Sequence, residues 1–404
     1  MFDVSCFCVI FWPNFFRFVS NFVNKIIRST LLSQLDSTAF VYGGMGMTEV
    51  RARLSKLVSE ILPAGMSGLA FPSSGSEANE AAIAMCRRFT GKKKVLSAYR
   101  SYHGGSANSA AATGDFRRWM QPSTPDFIKV FQPHTLLEKL NGESEAEKVQ
   151  NSLTMLEEQI VYEGPDQIAS IMIESVPGAA GVLTFPDGYM QGVRALCDKY
   201  GIMMHCDEIM VGFGRTGKMW GFQHYDGVVP DIVTSAKGLS GAILPVSMVA
   251  CSSEMQAFFE DHPLGWGSTY QAHPVALACA YASIKHMLEH NIVGGVAEIA
   301  PQFKDHMERL AAKHPSIKQY RSVGLFGAFD AKAPNGEQPQ WFHHPRMDAF
   351  TKYLQAFNSE GLIGLLRPPI IHIAPPLIIN EEELAEGFDR HDRALDVLDK
   401  ELGF

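Results

Sequence analysis

Four short stretches carry side chains whose types and spacing suit one kind of chemistry. Residues 73–79 read Ser-Ser-Gly-Ser-Glu-Ala-Asn, after a predicted strand and opening a predicted helix. Free backbone N–H groups and small hydroxyls at a helix start make a seat for a phosphate. Taken alone, the stretch reads more simply as a Ser N-cap with a polar first turn. Ser101-Tyr102-His103-Gly104-Gly105 follows another predicted strand. Its Tyr could lie over a flat ring, with glycines allowing close approach, although most such Tyr-Gly turns are structural. Residues 201–208 set Asp207 and Glu208 at the C-terminal end of an apolar strand, the edge where open α/β sheets bind ligands. An acid there can pair with a ring nitrogen and keep it protonated; acids that merely start loops are also common. Residues 231–238 then put Lys237 at the end of a further strand, 30 residues after Asp207, a spacing that fits one crossover connection. A lysine in a small-residue turn after an apolar strand can be desolvated, which favours the neutral amine and Schiff-base formation. A solvated loop lysine is the plainer account of Lys237 by itself. Together the four supply a phosphate seat, a stacking aromatic, an acid for a pyridine nitrogen and an imine-forming lysine. That is the set pyridoxal 5'-phosphate (PLP) needs, and the joint pattern is far more specific than any member.

The elements that must position these residues follow from the pattern after residue 60, where short apolar β-rich runs alternate with helical stretches. This predicts βαβ units and a largely parallel sheet. Strands are expected at 67–71, 95–98, 168–174, 201–206 and 231–234, and helices at 77–89, 142–158, 189–200 and 273–290. In 77–89, Ala78, Ala81, Ala82, Met85 and Phe89 recur at helical spacing. Gly212-Phe-Gly-Arg-Thr-Gly217 is a formal GxGxxG, but the Lys-Met-Trp-Gly that follows does not open an apolar helix, so a dinucleotide fold is rejected. The expected organisation is an atypical segment at 1–33, a large cofactor-binding domain at 34–290 and a smaller C-terminal domain at 291–404, with a polar, Pro-containing loop at 332–346.

The 404 residues are 46% hydrophobic and 19% charged, ordinary for a globular protein of about two domains. Lys and Arg number 35 against 43 Asp and Glu, a net charge of −8 that disfavours nucleic acid or an anionic membrane as partner. Seven cysteines form no CxxC pair, consistent with reduced thiols inside a cell, and no metal site is expected. Seven phenylalanines crowd the first 27 residues. The apolar run 4–16 is interrupted by Pro13 and Asn14 and is too short to span a bilayer. The expected compartment is the cytoplasm. Arg17, Lys25 and Arg28, with no acid between Asp3 and Asp36, are the features that speak for a mitochondrial transit peptide.

From about Gln34 to the C-terminus the chain resembles class III (ω-type) aminotransferases, which belong to fold type I of the PLP enzymes. The resemblance rests on SSGSEANEAA (73–82), SYHGGS (101–106), HCDEIMVGFGRTG (205–217), DIVTSAKGLSGA (231–242), GSTYQAHPVALA (267–278) and APPLIINEEEL (374–384). It implies a mostly parallel central sheet flanked by helices, with a smaller α+β C-terminal domain. It also implies roles by position. Lys237 bonds the cofactor and, once freed, shuttles a proton; Asp207 pairs with the pyridine nitrogen. Tyr102 stacks on the ring and Ile209 packs against its other face. Gly75 and Ser76 hold the phosphate, and Thr269 reaches the phosphate of a neighbouring subunit, so a homodimer is implied. For His103, Arg215 and Glu174 a structural role is at least as well supported.

The resemblance also bears on substrate. Members that use 2-oxoglutarate typically carry a second Glu in the stretch after the fifth strand, where this chain has Ala179. That is similar to members that move an amino group from taurine, β-alanine or other ω-amino acids to pyruvate. Arg367 is the candidate for gripping the substrate carboxylate, with a surface arginine between prolines as the alternative. Met210 stands where many members have Gln. Residues 1–33 do not resemble the family's N-terminal region. The expected activity is therefore PLP-dependent transfer from an ω-amino acid or amine to pyruvate or another 2-oxo acid by ping-pong chemistry. The alternatives are an aminomutase or decarboxylating enzyme of the same class, or a truncated inactive paralogue serving as a partner subunit.

Overall fold

Strands buried on both faces are predominantly apolar, and Ile168–Glu174 is one: apart from Ser170 and the terminal Glu174 its residues are apolar, and all seven are buried. Its neighbours assemble on either side of it. The computed structural model describes residues 23–121, 124–136, 140–336 and 347–404; the Phe-rich start up to residue 22 and positions 337–346 of the expected loop lie outside the described residues. The described chain runs α1 (Val23–Ser37), α2 (Glu49–Ile61), β1 (Met66–Ala70), α3 (Gly75–Thr90), β2 (Lys94–Ala98), α4 (Ala107–Ala112), β3 (Phe127–Val130) and α5 (Pro133–Leu136). It continues through α6 (Glu145–Glu163), β4 (Ile168–Glu174), α7 (Tyr189–Tyr200), β5 (Met203–Asp207), β6 (Ile232–Ser235), β7 (Met248–Ser252), α8 (Ser253–Asp261) and α9 (Pro274–Glu289). These elements build a seven-stranded sheet in the order β1-β7-β6-β5-β4-β2-β3. The five strands from β6 to β3 are parallel, and β7 runs antiparallel to both β6 and β1.

Register then does the positioning. Glu174 pairs with Asp207, and Asp207 with Thr234, so the C-terminal ends of β4, β5 and β6 lie side by side. Strand β5 starts two residues later than expected and includes Asp207, which places that acid on the sheet edge rather than in the loop beyond it. Helix α3 covers the sheet with its small face: Ala78, Ala81 and Ala82 pack with Ala169, Ile232 and Val249. Its ends are well specified. Ser74 Oγ accepts from Glu77 N at 3.2 Å, Arg87 and Arg88 occupy the last turn, and Gly91 closes it at φ +70°. Strands β3 and β7 and helix α2 are additions to the expected elements.

Contacts divide the chain into two units, one holding Ile26–Phe213 and Met219–Glu289, the other Gly214–Lys218 and His290–Phe404. The second contains α10 (Ile292–Lys313), β8 (Ile317–Val323), β9 (Phe326–Ala331), α11 (Met347–Ser359), β10 (Leu366–Arg367), β11 (Ile370–Ile373) and α12 (Glu381–Leu402). Its four strands form an antiparallel sheet, β10-β11-β9-β8, over a core of Phe303, Phe329, Phe350, Phe388 and Leu395. Arg215 ties the short 214–218 segment into this unit by donating to Leu325 O at 2.9 Å and Pro375 O at 2.6 Å, a structural use of that motif position. Among the described residues no helix is long and apolar enough to cross a membrane.

Buried His314, just past α10, joins that helix to α12. Its Nδ1 lies 2.7 Å from Asp399 and its Nε2 2.8 Å from Asp392; Asp396 is 3.9 Å away, and Lys313 and Arg309 also face Asp392. Burial opposes the imidazolium, but hydrogen bonds to Asp399 and Asp392 outweigh it and hold the His314 pKa above its usual value. A raised pKa stabilises the fold fully below about pH 6.5 and is lost as pH climbs through the folded value. The difference in denaturant midpoint between the native chain and His314→Gln should therefore be largest at pH 6 and shrink toward pH 9.

Candidate active site

The parallel edge brings together most of the residues singled out by their chemistry. Asp207, at the tip of β5, is only 4% exposed. Its Oδ2 takes His103 Nδ1 at 2.8 Å and Asn79 Nδ2 at 2.9 Å, while Oδ1, among the described residues, takes only Ile209 N at 3.0 Å. Burial alone would raise its pKa; the His103 hydrogen bond and charge, with the Ile209 N–H, outweigh this and hold it below the usual aspartate value. The carboxylate stays charged, and Oδ1 keeps a lone pair for one more N–H donor.

The two neighbouring acids are set differently. Glu174, at the tip of β4, accepts from Tyr102 N at 2.9 Å and Gly178 N at 3.2 Å. Burial, with Asp207 nearby, pushes it up to about 7 against the pull of His103. Glu208 accepts from Ser175 Oγ, from Gly221 N at 2.6 Å and from Phe222 N at 3.0 Å, and burial pushes it to about 7 as well. Glu208 thus pins the 220–222 segment, and Glu174 holds the tyrosine-bearing loop.

The stretch expected to seat a phosphate lies at the start of α3. Glu77 N is taken by Ser74 Oγ and Ala78 N by Ser74 O, so Gly75 and Ser76 present the remaining first-turn N–H groups. Ser76 Oγ accepts from Gly105 N at 3.1 Å, joining the seat to the Tyr102 loop. A Cβ on Gly75 would lie 2.9 Å from Ile209 Cδ1, and one on Gly104 would collide with Ser76 Oγ and Ser109 Oγ. Gly104 also sits at φ +140°, a conformation side-chain-bearing residues rarely adopt. The Tyr102 ring carries the Arg117 guanidinium 3.4 Å from its centroid, and Arg117 Nε is itself held by both Asp115 oxygens at 3.1 and 3.0 Å.

Lys237 follows β6 and is half-buried, with its backbone at φ +34°, a left-handed conformation that costs a non-glycine residue about 1–2 kcal/mol. Strain of this kind gathers at functional positions. The turn is closed by Ala242 N donating to Lys237 O at 2.9 Å. Thr269 lies in an exposed turn whose far end is tied by Ala272 N to Phe71 O at 2.7 Å. Arg367 belongs to the other unit, on β10, and is 5% exposed; a surface arginine it is not. Three residues at this edge escaped the sequence reading as chemistry: Asn79, His205 and Thr234, all fully buried. For His205 and Thr234 the available signal was polarity inside otherwise apolar strands; Asn79, between Glu77 and Glu80 in a polar first turn, carried none.

The donor set suits a flat, phosphorylated pyridine: free helix-start amides beside small residues, an ionised acid with an open lone pair, an aromatic ring and a strained lysine. A family model described as Aminotransferase class-III matches residues 23–395.

The chain is a class III aminotransferase.

The solved taurine:2-oxoglutarate aminotransferase of Bifidobacterium kashiwanohense, in complex with PLP and glutamate, is 35% identical with a TM-score of 0.88, over 93% of this chain and 85% of that one. The diaminobutyrate–2-oxoglutarate transaminase of Halomonas elongata is 32% identical over 86% of this chain and 77% of its own. Gamma aminobutyrate transaminase 1, mitochondrial, of Solanum lycopersicum is 31% identical over 82% of this chain and 66% of its own. This aminotransferase is a fold type I enzyme that uses PLP for transamination. Gly104→Ala should cost it roughly 2 kcal/mol through strain and collision and lower its thermal midpoint by several degrees. Gly105→Ala, whose added Cβ meets nothing within 4 Å, should leave the midpoint within about 1 °C.

Proposed function

We propose that this aminotransferase moves an amino group from an ω-amino acid or amine of the taurine, β-alanine or γ-aminobutyrate kind to pyruvate. PLP, when bound, supplies an electron sink for the carbon that loses its proton. The chain's residues do the rest. Gly75 and Ser76 hold the phosphate through backbone N–H groups, and Tyr102 and Ile209 hold the ring between them. Asp207, kept ionised, holds a proton at the ring nitrogen. Lys237 would hold the cofactor through its Nζ, and the same amine, when not so engaged, would hold the proton that is moved during the transfer. The donor departs as a carbonyl compound before the 2-oxo acid enters. Thr269, exposed on the single chain, would complete the phosphate site of a second copy in a homodimer, and Arg367 would grip the substrate carboxylate.

The acceptor assignment rests on one observation. The loop after Glu174 reads Ser-Val-Pro-Gly-Ala179-Ala-Gly and holds no acid to neutralise an arginine while a donor without a second carboxylate occupies the site. A permanently unpaired arginine would disfavour such donors, so the scheme needs an acceptor with one carboxylate. A 2-oxoglutarate acceptor is the second reading, favoured by the activities named for the Bifidobacterium and Halomonas relatives.

Borohydride reduction of the PLP-loaded chain should fix the cofactor on Lys237, located by peptide mass, and Lys237→Ala should abolish both the adduct and turnover. With taurine, β-alanine or γ-aminobutyrate as donor, kcat/KM should be at least about tenfold higher with pyruvate than with 2-oxoglutarate. The opposite ratio would select the second reading.

A further inference from the structure

The Asn79 amide sits one turn inside α3, four residues beyond Gly75 and so on the same helix face as the phosphate seat. It is fully buried and completely used. Nδ2 donates to Asp207 Oδ2 at 2.9 Å and to the His103 carbonyl at 2.6 Å; Oδ1 accepts from Thr234 Oγ1 at 2.7 Å. We propose that Asn79 is a positioning residue for the transamination: it locks the Asp207 carboxylate to the helix that seats the phosphate, so that the two ends of the cofactor site are set by one rigid element.

Hydrogen counting supports more than a packing role. A carboxamide has two N–H hydrogens and one acceptor oxygen. Both of Asn79's hydrogens face acceptors, which forces its oxygen toward Thr234. The Thr234 hydroxyl then spends its only hydrogen on Asn79 and must accept from His205 Nε2, 3.0 Å away. His205 is therefore the Nε2–H tautomer, and it is neutral, because burial holds its pKa down near 3 despite Asp207 nearby. Its Nδ1 is buried without a partner among the described residues. The hydrogens thus run in one direction, from His205 to Thr234, from Thr234 to Asn79 and from Asn79 to Asp207, with Asn79's second hydrogen on the His103 carbonyl. The charge at Asp207 is thus met by oriented dipoles from β5, β6 and α3 in addition to His103, and Glu174 and Glu208 are the acids that feel it. A residue that only filled space would need no such polarity, and Leu or Met would fill it at lower desolvation cost.

The inference rests on the reading of Asp207 as partner of the ring nitrogen, and the test separates the two. PLP-loaded chain, Asn79→Asp, Thr234→Val and Asp207→Asn are compared by the pH midpoint of the bound cofactor's visible band, by PLP dissociation from fluorescence quenching, and by thermal midpoint. Asn79→Asp is nearly isosteric but replaces both donated hydrogens with an acceptor that faces Asp207. It should raise the spectral midpoint by about one pH unit or more, since a ring nitrogen that loses its charge no longer repels a proton nearby. It should also weaken PLP binding about tenfold. Thr234→Val, which removes only the group orienting Asn79, should move both in the same direction by less, and carries the test if Asn79→Asp does not fold. Variants that lower the thermal midpoint but leave the spectral midpoint at the native value, while Asp207→Asn shifts it, would overturn the role of Asn79 alone. An unmoved band in Asp207→Asn would overturn the reading of Asp207, and this inference with it.

Discussion

Holding one carboxylate ionised in a dry setting is the constraint around which this protein is arranged. Moving a charge out of water is costly unless donors replace the water. Asp207 obtains three: a histidine side chain from the loop after β2, an amide from α3, and the backbone N–H of its own turn. None of the side-chain donors lies near Asp207 in sequence. They reach it because parallel strands run their C-terminal ends to one edge, because β4, β5 and β6 keep the register that aligns Glu174, Asp207 and Thr234, and because α3 lies close to the sheet. That close approach depends on the alanines of its buried face, since larger side chains would lift the helix and take Asn79 out of reach.

The same edge shows how environment sorts like groups. Asp207, Glu174 and Glu208 are all buried carboxyls, and all three accept hydrogen bonds. Of the three, Asp207 is the one hydrogen-bonded to a histidine side chain, and it alone is held low. Glu174 and Glu208 are met chiefly by backbone N–H groups and a serine hydroxyl, which compensate burial only in part, so both rise toward neutrality. One fixed charge flanked by two acids near neutrality lessens mutual repulsion. It lets Glu174 and Glu208 work as fasteners for the 102–105 loop and the 220–222 segment.

The C-terminal unit is stabilised by different means. An aromatic core from α10, β9, α11 and α12 does most of the work, and the imidazole of His314 spans two acids of α12. Family membership follows from similarity along nearly the whole chain, whereas substrate choice turns on a few side chains such as Ala179 and Arg367. Identity near 30% is ample for the first and says little of the second, because a fold tolerates many substitutions that a pocket does not.

The sequence by itself determined a great deal: the alternation of apolar strand and helix, the helix at 77–89 from its alanine spacing, and, from residue types, which segments to propose for phosphate, ring, acid and lysine. These are local properties, carried by periodicity and by what a few adjacent side chains can do. Strand β7 was not legible as an antiparallel member, since strand direction is a relation between segments. Asn79, 128 residues from Asp207, read as an ordinary polar residue in a helix; its use of every hydrogen depends on which strands lie beneath it. The burial of Arg367 and the tautomer of His205 were likewise decided in three dimensions. Hydrogen-bond partners and desolvation are set by sheet register and helix packing, and no window of sequence contains those.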